Sequence, residues 1–416
     1  MLRPYRDVLS RPGAIAFSTA GTLARLPMSM AGIGVVLMLS ALYGSYGLAG
    51  RVSAVYAVAQ ALCAPQLARL VDRHGQARVM RPAVAVATLG GLGLLAAALL
   101  HAPAAWLYAT ALFAGAGGGS FGSLARARWS YALRDEPRRM HTAHALESAL
   151  DEVVFIVGPA LATLLATSLH PTAGLVVPVV ALVVGGYLFL SLRSTEPPVT
   201  VHDDATPRPR GSVLRSPAMV VIVLVCVAMG TIFGATDVST VAFADEAGHK
   251  GVAGLVLAVF ACGSLVSGLL YGARHWTRPL YQRYAVGMVA LAAGVSLFVV
   301  VRSLPALAAV MFVTGFAIAP TLINANGLVQ QIVAPGRLTE GLTWVGTAIG
   351  LGVSVGSSVA GTQIDAHGSR AGFLVVVAAG SCAVLATLVA LPALRAAATA
   401  HVRQGTLAAP GEDRTA

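Results

Sequence analysis

Gly47-Leu48-Ala49-Gly50-Arg51-Val52-Ser53-Ala54-Val55-Tyr56-Ala57 returns 204 positions later as Gly251-Val252-Ala253-Gly254-Leu255-Val256-Leu257-Ala258-Val259-Phe260-Ala261, with seven of the eleven pairs identical. A second match, at an offset of 198, pairs Arg139 with Arg337 and Gly158 with Gly356. Both offsets lie near half of the 416-residue length, so the chain reads as two copies of one plan.

The repeated stretch is apolar, and so is most of the chain. It is 56% hydrophobic and 11% charged, with mean hydropathy +0.77, where ordinary globular domains carry about 25% charged residues. So little charge cannot cover a globule in water; lipid is the solvent. A helix needs about 20 apolar residues to cross the hydrocarbon. There the backbone must satisfy its own hydrogen bonds, which leaves helices or closed barrels. The apolar runs are long and continuous rather than alternating (Ala218 to Thr236 holds no charge), which selects helices.

The expected fold is an all-α membrane protein with 12 transmembrane helices in two pseudo-symmetric six-helix bundles. Spans are placed near 14–42, 47–71, 79–101, 104–129, 142–168 and 172–193, then 217–243, 251–274, 283–302, 305–332, 339–363 and 370–395. Residues 1–193 make the first bundle and 217–400 the second. Between them, 194–216 is a cytoplasmic linker holding His202-Asp203-Asp204 and Pro207-Arg208-Pro209-Arg210, and 401–416 is a cytoplasmic tail.

The net charge of +11 is topological. Of the 28 Lys and Arg, 23 fall on the side of the N-terminus. The opposite side has Arg51, Lys250, Arg302 and Arg370, while Arg25 lies inside the first span. This positive-inside bias puts both termini in the cytoplasm and argues against nucleic-acid binding. Arginine supplies 27 of the 28, a usage associated with high-GC bacterial genomes, which suggests a bacterial inner membrane. The first span reads as an uncleaved signal anchor. Cys63, Cys226, Cys262 and Cys382 fall in apolar spans without CxxC spacing and read as small buried hydrophobes. Trp106, Trp129, Trp276 and Trp344 stand near span ends as interface anchors.

Between the second and third spans stands Leu70-Val71-Asp72-Arg73-His74-Gly75-Gln76-Ala77-Arg78. Such a turn can pair its carboxylate with a helix N-terminus and its arginines with C-termini, closing an inward gate. A solvated basic turn that merely obeys topology is the alternative. The stretch resembles the loop signature of the major facilitator superfamily, roughly G-x-L-A-D-R-x-G-R-K: Leu70, Asp72, Arg73 and Gly75 match, and Arg78 is displaced by one position. Gly158-Pro159 resembles the core of the superfamily's antiporter motif, whereas the R-x-x-Q-G motif of the fourth span is absent, Ala111 and Ala114 preceding Gly115. The resemblance implies a secondary transporter working by alternating access.

Charges at the centre of a membrane helix cost about 2.5–3.5 kcal/mol each, yet the fifth span holds Glu147, Asp151 and Glu152. Glu147 and Asp151 share one helical face, and Glu152 is turned about 100° from Asp151. Arg25 and Asp151 lie at depths within about 3 Å of each other, so an ion pair between first and fifth spans is expected. At offset 198 the acids align with Val345, Ile349 and Gly350, so they are peculiar to the first half. One reading couples proton movement to Asp151 or Glu152; the other is a static pair with Arg25. Asp237, Asn324 and Asn326 are the candidate cavity residues. His141, His144 and Glu147 lack a second ligand cluster, and no metal or other cofactor is expected; Gly115 to Gly119 is read as helix packing rather than a phosphate loop.

The leading function is therefore proton-coupled efflux of a small organic or drug-like compound by a monomer. The alternatives are an importer of a sugar, nucleoside or similar polar metabolite on the same fold, and a membrane-embedded lipid or prenyl transferase.

Overall fold

The computed structural model describes residues 3–199, 212–249, 252–274 and 276–407. The linker motifs His202-Asp203-Asp204 and Pro207 to Arg210 lie outside these residues, as do Gly251 and the end of the expected tail from position 408. The described residues are helical throughout, with no strand. The first half holds α1 (Arg3–Leu9), α2 (Ala14–Tyr43), α3 (Tyr46–His74), α4 (Gln76–Leu99), α5 (Ala104–Ala116), α6 (Phe121–Ala132), α7 (Pro137–Ser168) and α8 (Ala173–Ser191). The second holds α9 (Pro217–Glu246), α10 (Ala253–Ala273), α11 (Leu280–Ser296), α12 (Leu304–Gly315), α13 (Ile318–Ile332), α14 (Leu338–His367) and α15 (Ser369–Leu407).

Eleven helices of the described chain, with α12 and α13 counted as one, are long and apolar enough to cross a membrane. The span expected at 104–129 is not one helix. It breaks after Ala116 and restarts at Phe121 as α6, which carries Arg126 and Arg128. The cause is local. Gly119 sits at φ +59, a conformation that side chains disfavour, and a Cβ on Gly117 would overlap the Ala83 carbonyl of α4. At the other end of the chain α15 stays helical to Leu407, past the point where a tail was expected.

Lipid gives helices no hydrophobic reason to associate, so close packing of small residues carries the load. Gly230 and Gly234 of α9 face Gly352 and Gly356 of α14. A Cβ on any of the four would overlap a backbone carbonyl of the other helix: Ile349, Val353, Val227 and Thr231 in turn.

The same device recurs in both halves. Gly115 of α5 lies against the carbonyl of Tyr56 in α3, and Gly315 of α12 against that of Phe260 in α10. Tyr56 and Phe260 occupy one position of the 204-residue repeat. Likewise Gly90 of α4 meets the backbone of Ala114, while Gly294 of α11 meets the side chain of Thr314. Gly90 and Gly294 keep the 204-residue offset, whereas Gly115 and Gly315 stand 200 apart. The buried cores divide in the same way: one draws only on residues 213–394, two others only on 8–190, and a small fourth (Tyr5, Ala145, Tyr271, Ile323) joins the sets.

The cysteines need a correction. Cys226 is buried, but Cys63 is half-buried and Cys262 and Cys382 are exposed. In a lipid-solvated helix the outward face is as apolar as the inward one, so apolar context does not predict burial.

Candidate functional site

Glu147 and Asp151 are one turn apart on α7 and point at α2 and α6. Arg25 of α2 donates to both, bonding Asp151 Oδ1 at 2.9 Å and pairing with Glu147. Arg126 of α6 donates to the other oxygen of Asp151 at 2.7 Å. Glu147 also accepts from Trp129 Nε1 at 2.8 Å and from Ser18 Oγ at 3.2 Å. The side chains of Arg25 and Glu147 are 2% and 0% exposed, so their charges have no water to fall back on. Two arginines therefore offset two carboxylates in a network that ties three helices together.

Sequence reading found the Arg25 pair and missed the α6 contribution. From sequence Arg126 and Arg128, aligned at offset 198 with Asn324 and Asn326, read as residues of the inner end, either gating or topological, and Trp129 as an interface anchor, whereas Trp129 is fully buried against Glu147. The three-residue spacing of Arg126 and Trp129, which puts both on one helical face, was the available signal.

Glu152 leaves this cluster. Its carboxylate accepts from Ser264 Oγ of α10 at 2.5 Å, reaching from the first half to the second. Asp237 on α9 is exposed and has neither a hydrogen bond nor an ion pair among the described residues. Asn324 is buried and exchanges hydrogen bonds with Tyr271 Oη at 2.9 and 3.0 Å, and Asn326 donates to the carbonyl of Leu322 at 3.0 Å. The partners of both amides lie in the second half.

At the end bearing the α3–α4 turn, Asp72 accepts the backbone N–H groups of Thr339 and Glu340 at 3.2 and 2.9 Å. It thereby caps the N-terminus of α14, where unsatisfied donors and the positive end of the helix dipole favour a carboxylate. Arg69 bonds the fully buried Glu340 at 2.9 Å across the same junction. Glu340 is also held by Ser212 Oγ at 2.8 Å and the Val213 N–H at 3.1 Å. Gly75, at φ +89, makes the sharp turn between α3 and α4, and Arg73 and Arg78 are exposed beside it. Arg69 joins this junction although the loop motif did not include it.

A second junction caps the opposite pole of a helix. Tyr5 of α1 donates to the carbonyl of Leu269 at 2.6 Å, and Thr142 of α7 to that of Gly272 at 2.9 Å, both at the C-terminus of α10. A Cβ on Gly272 would overlap Ala145 of α7, so the halves meet there in close contact. One half thus caps an N-terminus and a C-terminus of the other.

The profile described as Major Facilitator Superfamily matches residues 17–283, well over half of the chain. The chain belongs to this superfamily. Among solved structures this superfamily member is similar to the human organic anion transporter MFSD10, with 16% identity, TM-score 0.69, and 91% and 99% of the two chains covered. A bacterial homologue of the iron transporter ferroportin in an outward-facing state gives 13% identity and TM-score 0.74, covering 90% and 98%. The superfamily transporter FucP, in the outward conformation, gives 14% identity and TM-score 0.70, covering 91% and 98%. At such identities the likeness shows the fold. No curated protein matches the chain by sequence.

Within the superfamily fold, Gly158-Pro159 has a packing role that can be stated. A Cβ on Gly158 would overlap Ser29 of α2, so α7 and α2 touch there, and Pro159 deprives α7 of one backbone donor. The facilitator is a multi-pass membrane protein whose charged cluster sits on that same α2–α7 seam.

Proposed function

We propose that this chain is a proton-coupled exporter of a small organic compound that works by alternating access between two six-helix bundles. In this reading α5 and α6 together make a fourth membrane crossing, giving twelve, and the protein is a monomer. Both termini lie in the cytoplasm of a bacterial inner membrane, consistent with the arginine distribution. The Asp72–α14 and Tyr5–α10 junctions then close the cytoplasmic side. Two of the similar solved structures are themselves outward-facing, which accords with that state.

The observation that carries the reading is Glu152, a carboxylate in mid-membrane that bridges the halves through one serine and has no arginine on it. Asp151 is held by two guanidiniums and resists protonation, since removing its charge strands both. Glu152 gives up only a hydroxyl bond that the protonated acid can also make. Protonation of Glu152 therefore costs little and removes a charge from the seam between the bundles. Arg25, Glu147 and Asp151 hold α2 and α7 together through the cycle, as a rigid pivot.

The test is transport in proteoliposomes against an imposed pH gradient. Glu152→Gln should abolish proton-driven accumulation while leaving downhill exchange of substrate, and Asp151→Asn should impair both. Intact gradient-driven transport in Glu152→Gln would sink the assignment of the proton to this residue.

A further inference from the structure

Two of the mid-membrane acids have no basic partner among the described residues. Arg25 and Arg126 are taken up by Glu147 and Asp151, each arginine bonded to at least one of these acids. Arg128, two residues beyond Arg126, is fully buried on Gln76, the Leu192 carbonyl, Thr195 and the Phe189 ring and reaches neither remaining acid. Those remaining acids are Glu152 and Asp237. Neither has a guanidinium, an ammonium or an imidazole on it; Glu152 has the hydroxyl of Ser264 and Asp237 has nothing.

The surroundings supply no hidden cation. Asp237 lies on α9, whose packing partners are α10, α13, α14, α15 and the short turn Val213–Arg215; the last carries Arg215, 22 residues from Asp237 and so about 33 Å away along the helix axis. Helices α9, α10 and α13 contain no Lys, Arg or His. The charged residues of α14 stand near its ends as Glu340, Asp365 and His367. On α15, Arg370 stands beside Ser369, whose backbone N–H bonds Glu246 at the end of α9, while Arg395, His401 and Arg403 lie 25 or more residues further along the helix. Asp237 is nine residues from Glu246, so Arg370 is about 14 Å away along the helix axis.

The two acids stand at similar depth on two helices that pack on a common third. Helices α7 and α9 both pack on α10. Ser264, the partner of Glu152, is eleven residues from the start of α10 at Ala253, and Asp237 is nine from the end of α9. Those depths agree to about 3 Å. Acids within membrane spans line cavities or the bundle interior rather than lipid, and this is the placement inferred for the exposed Asp237.

We infer that the transported compound is an organic cation, bound by Asp237 and Glu152. An apolar body accompanies the charge, since the rest of these helices is apolar. A metal ion fits less well: the described residues hold no group of three His, Cys, Asp or Glu able to ligate one. The inference rests on the proposed export reading, and it adds exchange at Glu152, where proton and cation compete for one carboxylate.

The experiment compares two ions of like size and opposite charge, tetraphenylphosphonium and tetraphenylborate. Binding to the full chain in lipid nanodiscs is measured against empty nanodiscs, with thermal unfolding as a check that each variant is folded. The wild type should bind the phosphonium at least tenfold more tightly than the borate. Asp237→Asn should weaken phosphonium binding at least tenfold without lowering the unfolding temperature. Equal binding of both ions, preference for the borate, binding of neither, or unchanged phosphonium binding in a folded Asp237→Asn would each overturn the inference. The export reading fails separately. Selective phosphonium binding without gradient-driven transport would remove proton coupling and leave the cation assignment standing. Gradient-driven transport of an uncharged compound, with no phosphonium binding, would do the reverse.

Discussion

Asp72 accepts the backbone N–H of Glu340 at 2.9 Å although 268 residues separate them in sequence. The contact joins the first half of the molecule to the second through one carboxylate and one helix end, which makes it a lock that can be weakened without unfolding either part.

Asp72→Asn keeps an acceptor and removes the charge. A carboxylate at a helix N-terminus is worth about 0.3–1 kcal/mol, so the closed state should lose up to roughly fivefold in population. Thr343, buried on the first turns of α14, reports this when replaced by cysteine in a background free of the four native cysteines. Maleimide should label it faster in Asp72→Asn; an unchanged rate would mean that the contact bears no load.

Tyr5→Phe removes one hydrogen bond, to the Leu269 carbonyl, and leaves the ring in place. The expected loss is about 1 kcal/mol. The Tyr5 and Asp72 contacts have no partner in common, so their effects on Thr343Cys labelling should add in the double variant. A double variant no faster than either single one would show that one junction alone closes this side.

Trp129→Phe strips a donor from the buried Glu147 carboxylate. Hydrogen bonds to charged groups contribute about 1.5–3 kcal/mol, so the midpoint of thermal unfolding in detergent should fall by several degrees. Trp106 is 64% exposed and serves as the control. Trp106→Phe should stay within about 0.5 kcal/mol of the parent. Equal effects from both would return Trp129 to the role of a surface anchor.

Gly356→Ala puts a methyl into the Thr231 carbonyl, whereas Gly346 of the same helix has nothing within 4 Å of the added carbon. Overpacking costs about 1–3 kcal/mol, so Gly356→Ala should unfold at lower temperature and Gly346→Ala should not. If both behave alike, the α9–α14 seam tolerates separation.

The fold was largely legible because lipid imposes a simple code: long uncharged runs must be helices, and a duplicated run must be a duplicated helix. The 204-residue repeat pairs Tyr56 with Phe260, whose carbonyls meet glycines that stand 200 residues apart, Gly115 and Gly315, so the likeness of the contacts exceeds what the matched stretch itself encodes. The break at 117–120 escaped because glycine suits close helix packing as well as it suits turns, and only the position of α4 decides between them. The Arg25–Asp151 pair could be reached by depth alone, since both residues sit on unbroken helices counted from one surface and precede the internal prolines Pro27 and Pro159. For Arg126 and Trp129 the sequence offers their shared helical face, but the break at 117–120 puts α6 out of the depth register counted along an unbroken span. Arg69 and Tyr5 were hidden for another reason. Their partners are a buried acid and a backbone carbonyl in the opposite half, which no local motif encodes.

The claim that the halves rock about the α2–α7 pivot is tested most directly by two spin-label distances in one sample series. One pair, at exposed His74 and Arg278, spans the α3–α4 end, and the other, at exposed Arg51 and Leu255, spans the far end. Between pH 5 and pH 8 in nanodiscs, the populations should exchange so that the first distance lengthens as the second shortens. Distances that stay fixed, or that lengthen together, would contradict the account.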